Sequence, residues 1–174
     1  FGCRACGLCR AGRDQLCLNG STGGSTADGG FADYIAIPRA RYAVPLGDLD
    51  PIVSGPLADA GLTSYAAVVR VASACRAGRP LVIIGLGGLG RVAIQIARAQ
   101  IKAAVLAVVR RDAQVEPAIA LGASAAMTAD KAVQSVGRRT AGAVIDFVGS
   151  DETLALAGAI VAPRGLVAIG GIPG

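Results

Sequence analysis

The hydrophobic pattern changes character part-way along the chain. From residue 57 onward, apolar runs of two kinds alternate. LADAGLTSYAAVVRVASA (57–74) spaces its apolar residues at helical period and predicts a helix. LVIIG (81–85) is a continuous apolar run, as expected of a strand buried on both faces. RVAIQIARAQ (91–100) returns to helical period, AAVLAVV (103–109) reads as a strand, and DAQVEPAIALGA (112–123) as a helix closed by glycine. ASAAMTA (123–129), GAVIDFVG (142–149) and GLVAIGG (165–171) supply three further strands, with helical stretches between them. Five strands alternating with helices predict an α/β fold, a doubly wound parallel sheet covered on both faces.

The earlier residues follow neither rhythm. LNGSTGGSTADGG (18–30) is turn-rich with little to bury. FADYIAIP (31–38) alternates apolar and polar residues and predicts a short strand, and RYAVPLGDLDP (41–51) a second one running into a connection. The proline-bounded stretch from Pro51 to Pro56 sets the expected boundary, dividing residues 1–54 from 55–174.

Composition narrows the options. Hydrophobic residues make up 53% but aromatics only 3%, so the core is built from Ala, Val, Ile and Leu. High apolar content with 17% charged residues argues against disorder. No apolar run of about 18 residues escapes an arginine, glycine or proline, so no membrane span is expected. The net charge of +5 comes mostly from scattered arginines, and aromatics for base stacking are scarce, so nucleic acid is not the expected partner. There is no histidine anywhere, which removes the commonest general base and the commonest metal ligand.

Four of the five cysteines, Cys3, Cys6, Cys9 and Cys17, fall in the opening FGCRACGLCRAGRDQLC. A tetrahedral zinc held by four thiolates, a closed structural site, fits this spacing best. An iron–sulfur cluster would need its fourth cysteine sooner and followed by proline, and disulfides at such short gaps make a strained network; both remain alternatives. Cys75 reads as a small residue on a helix.

LVIIGLGGLGRVAIQIARA carries Gly85, Gly87 and Gly90 in G-x-G-x-x-G spacing, with Gly88 and Leu89 between. Behind a buried strand and ahead of a helix, this spacing predicts a dinucleotide site. Gly85 permits the tight turn, Gly87 lets the backbone approach a pyrophosphate, and Gly90 allows close helix–strand packing.

Cysteine lobe, GGFADY and GLGGLG together resemble the zinc-dependent medium-chain alcohol dehydrogenases, with DFVG and VAIGG in support. The resemblance implies that residues 1–54 are the zinc-lobe end of a GroES-like β domain and 55–174 an incomplete Rossmann domain, the chain being truncated at both ends. It implies hydride transfer between an alcohol or carbonyl substrate and a nicotinamide cofactor, aided by a second, open zinc acting as Lewis acid. One ligand of that zinc falls at Asp59 as the catalytic position; its plainer reading is a helix cap. Thr63, Val148 and Ile169 match positions beside the nicotinamide. Where NAD-binding members place a ribose-binding acid, this chain has Val109, followed by Arg110 and Arg111, so NADP is expected in preference to NAD, with Arg111 as the main clamp. A homo-oligomer in the cytoplasm is the family expectation. Alternatives are a polyol or formaldehyde-type dehydrogenase of the same family, or a catalytically silent nucleotide-sensing protein.

Overall fold

The computed structural model describes residues 1–172. The chain divides at Asp50/Pro51 into two compact units, Phe1–Asp50 and Pro51–Gly174. The expected boundary lay four residues later.

In the second unit the short helix α2 (Pro51–Ser54) and a 3₁₀ turn (Gly55–Ala58) lead into α3 (Ala60–Val71), which ends in another 3₁₀ turn (Ala72–Ala74). Then follow β1 (Leu81–Ile84), α4 (Gly88–Gln100), β2 (Val105–Val109), α5 (Val115–Ala120), β3 (Ala125–Thr128), α6 (Ala129–Val136), β4 (Ala141–Asp146), α7 (Asp151–Ile160) and β5 (Val161–Ile169). All five expected strands form. They make one parallel sheet in the order β3-β2-β1-β4-β5. The order reverses beside β1, the switch point of a Rossmann-type sheet.

The side chains of β1 show why its sequence is unbroken apolar. Leu81 and Ile83 pack under α3, α4 and α5, against Val68, Ile94 and Ala118. Val82 and Ile84 face the other way, under α6 and α7, against Ala132 and Ile160. A strand with helices on both faces has no side left for polar residues. Within α4, Ala93 and Ala97 are fully buried one turn apart, and their small size lets the helix lie close on the sheet.

The first unit departs from expectation. It contains α1 (Gly7–Arg10), 3₁₀ turns at Asp14–Leu16 and Ala40–Tyr42, and a single isolated bridge, Gly23 to Ala27. Neither FADYIAIP nor RYAVPLGDLDP forms a strand. A strand exists only by pairing, and no described segment pairs with either; Phe31 and Tyr34 stand almost fully exposed. Cys75 lies just past the 3₁₀ turn in extended backbone rather than on a helix, and partial burial pushes its thiol up to about 11. Among the described residues no single helix is long and apolar enough to cross a membrane.

Candidate functional site

In the cysteine lobe, Cys6 caps α1, its sulfur accepting from the backbone N–H of Cys9 at 3.5 Å. The Cys17 sulfur accepts from the N–H of Cys3 at 3.4 Å. All four Sγ atoms lie within 4.8 Å of one another, and Cys6 and Cys17 are 3.9 Å apart. Four sulfurs about 2.3 Å from a tetrahedral zinc would be separated by roughly 3.8 Å. A disulfide would need about 2.05 Å, and every cysteine is a free thiol. The four donors therefore fit one metal ion. Backbone N–H groups of Ala5 and Cys6 pull the Cys3 thiol down to about 6, while burial pushes Cys9 up to about 12. At Gly2 a Cβ would lie 2.7 Å from both Cys9 Sγ and Asp14 Oδ1, so a larger residue there would push on those two side chains. Asp14 in turn binds Arg41 at 2.6 Å and Arg4 at 3.4 Å, tying the 39–42 segment to the lobe. The Arg41 hydrogen bond holds the Asp14 carboxyl below its ordinary range.

The glycine turn between β1 and α4 sorts its residues sterically. Gly85 takes φ +97°, open to glycine and costly for other residues, and its N–H donates to Val108 O at 2.9 Å. A Cβ on Gly90 would lie 1.8 Å from the Gly85 carbonyl oxygen. At Gly87 and Gly88 a Cβ would meet nothing within 4 Å. So Gly85 and Gly90 serve the turn itself, while Gly87 and Gly88 leave open space at the helix N-terminus. Ser64 of α3 donates to Leu89 O at 2.9 Å and steadies this first turn.

Two clefts open at the carboxyl ends of the strands. One, of about 550 Å³, is lined by Gly85, Val109, Arg110 and Val148, with Glu152 and Thr153 from α7. The other, of about 250 Å³, gathers Thr63, Arg70, Phe147 and Ile169. Open glycine backbone, a helix N-terminus and a cleft at the switch point suit an anionic dinucleotide. Sequence reasoning missed Arg70, Phe147 and Glu152. Arg70 was recoverable, since Thr63, Ala66, Ala67 and Arg70 are the i, i+3, i+4 and i+7 positions of one face of α3. Phe147 adjoins Val148 in DFVG; Glu152 carries no local signal.

No family model matches the chain. Individual proteins do. It is 32% identical over its whole length to a D-arabinose 1-dehydrogenase (NADP(+)) of Saccharolobus solfataricus, covering 52% of that protein. It is 34% identical to an NAD-dependent alcohol dehydrogenase of Sulfurisphaera tokodaii, across 97% of this chain and 50% of the relative. The crystal structure of the D-arabinose dehydrogenase from Sulfolobus solfataricus superposes with TM-score 0.87 at 32% identity, over 99% of this chain and 57% of that one. The chain belongs to the zinc-type alcohol dehydrogenase family. It spans about half the length of the curated relatives it matches.

Two positions sit differently from the sequence expectation. Asp59 precedes α3 but its carboxylate makes no capping hydrogen bond, so the plain helix-cap reading fails; its backbone carbonyl accepts from Thr63 N at 3.0 Å. Among the described residues Asp59 joins no cluster of metal-ligating side chains. Arg111, expected as the main clamp, does not line the cleft, whereas Arg110 does. The reason is local: Gln114 Oε1 accepts from the N–H groups of both arginines at 3.2 Å, folding the chain into the 3₁₀ turn Asp112–Gln114 directly after them. Asp112, next along the chain, pairs with Lys131 at 3.4 Å.

Proposed function

We propose that this chain supplies the nicotinamide-cofactor site and a structural zinc lobe of an NAD(P)-dependent dehydrogenase acting on an alcohol, sugar or polyol hydroxyl, or on the matching carbonyl. One observation carries the reading: the glycine turn leaves open backbone at Gly87 and Gly88 beside two clefts at the switch point of the sheet. The relationship to a D-arabinose 1-dehydrogenase supports a polyhydroxylated substrate class.

In this reading Cys3, Cys6, Cys9 and Cys17 hold the structural zinc, and the amides around Gly87–Gly90 hold the cofactor's diphosphate. Thr63, Val148 and Ile169 border the nicotinamide half, and Phe147 and Ala168 line the smaller cleft beside Thr63 and Ile169. When bound, the nicotinamide accepts or supplies the hydride. Asp59 contributes one carboxylate ligand to an open zinc, a role its free carboxylate leaves possible. Val109 offers no acceptor to a ribose 2′-hydroxyl, and Arg110 faces the same cleft, so NADP is the favoured cofactor.

Titrating the chain with NADPH and NADH tests this reading. Removing the acid and adding one charge-assisted contact, worth roughly 1.5–3 kcal/mol, predicts a preference for NADPH of about 10- to 100-fold. Arg110→Ala erases most of that preference, and Arg111→Ala leaves it largely intact. Equal affinities for the two cofactors would contradict the assignment; the reverse ranking of the two variants would restore Arg111 as the clamp.

A second expected outcome concerns Asp59. In an intact dehydrogenase subunit containing this chain, Asp59→Ala removes alcohol oxidation and one zinc while the lobe zinc stays bound. Full activity with both zincs retained would exclude Asp59 as a ligand.

A further inference from the structure

Asp146, the last residue of β4, is fully buried at the carboxyl end of that strand, with Ile84 beside it on β1 and Ile169 on β5. Its Oδ1 accepts from the N–H of Val148 at 2.8 Å and of Gly149 at 3.1 Å. Its backbone carbonyl accepts from Gly170 at 2.8 Å and Gly171 at 3.1 Å. One residue thus gathers four N–H groups from the two turns that follow β4 and β5.

The turn it anchors is wedged on both sides. A Cβ on Gly85 would lie 2.9 Å from Val148 Cγ2, and one on Gly171 would lie 2.3 Å from the Val148 carbonyl carbon. Phe147 N–H donates to Ile84 O at 3.0 Å, so the turn is also tied to the strand that ends in the glycine loop. Its two side chains then diverge: Val148 lines the larger cleft and Phe147 the smaller. Asp146 itself lines neither. Its Oδ2 has no hydrogen-bond partner although it is buried. A buried polar atom left without a partner is rare in native proteins and calls for an explanation beyond packing.

We infer that Asp146 is a positioning residue for the cofactor: its carboxylate fixes the Phe147–Gly149 turn so that Val148 and Phe147 form the walls of the two clefts. The inference rests on the reading of those clefts given above. Asp146 acts through the turn, by the two hydrogen bonds at Oδ1. An asparagine can make the same two bonds, whereas an alanine or a leucine offers no acceptor to either N–H group.

The test compares the chain with its Asp146→Asn and Asp146→Ala variants by NADPH titration, thermal melting and amide exchange at Val148 and Gly149. Expected is an Asn variant within about threefold of wild-type affinity. The Ala variant should weaken NADPH binding at least tenfold, with faster exchange at both amides. Asp146→Leu, which fills the volume without an acceptor, replaces Ala if that variant does not fold and must show the same loss. Wild-type NADPH affinity in the Ala or Leu variant, or an Asn variant no better than Ala, would overturn the positioning role. A wild-type chain that binds neither NADPH nor NADH would instead overturn the reading of the clefts.

Discussion

Stripping the metal from this chain should unfold Phe1–Asp50 and leave the parallel sheet standing. Among the described residues of the first unit, only Cys9 is buried. The large apolar side chains that would otherwise form a core, among them Leu18, Phe31, Tyr34 and Ile35, are exposed. Ordering each residue costs about 1–2 kcal/mol of backbone entropy, and so small a unit without a core has little to set against that. Four thiolates closing on one zinc contribute apparent free energies of roughly 10–16 kcal/mol in small zinc domains, which makes the lobe a folded-with-metal, unfolded-without system. Elemental analysis should find one zinc per chain. After chelation, amide protection should vanish from residues 1–50 while Leu81–Ile84 and Ala141–Asp146 stay protected. Cys9→Ser should have the same effect without a chelator. Because the ligand thiols must lose their protons to bind, acid should release the zinc as well. Iron in place of zinc, or a first unit still protected after chelation, would contradict this account of the lobe.

The two units differ in how legible they were. A parallel strand covered on both faces announces itself, because every position in LVII or AVI packs under helices on one face or the other. Nothing outside the segment has to be known. FADYIAIP carries a convincing alternation, but alternation only says which face a strand would bury, and the pairing that makes it a strand lies elsewhere. The glycine loop was legible for a related reason: Gly85 and Gly90 answer to turn geometry and close packing within one β–α unit. The choice between Arg110 and Arg111 was not. It turns on where the strand stops and where Gln114 takes hold, a difference of one residue that periodicity does not resolve. Asp146 looked like any acid at a strand end; its importance lies in hydrogen bonds to a turn whose shape depends on Gly171, distant in sequence.

Paired alanine substitutions in the glycine loop should separate fold from ligand. Gly90→Ala places a methyl group 1.8 Å from the Gly85 carbonyl oxygen, a backbone atom in a turn with no freedom to retreat. Relief requires α4 to lift from the sheet, which breaks the packing of Ala93 and Ala97, both fully buried. Overpacking of this kind costs about 3 kcal/mol or more, enough to lower the melting temperature on the order of 10 °C. Gly87→Ala meets nothing within 4 Å, and its backbone, at φ −82° and ψ −164°, is extended and open to any residue. Its stability should change by no more than about 0.5 kcal/mol. Yet the same methyl group stands where a diphosphate must approach the amides of α4, so NADPH affinity should fall at least tenfold, about 1.4 kcal/mol. The two variants therefore move opposite readouts, melting temperature for Gly90 and binding for Gly87. A Gly87→Ala chain that binds NADPH like the wild type would mean that the open backbone at this turn does not receive the cofactor's phosphates.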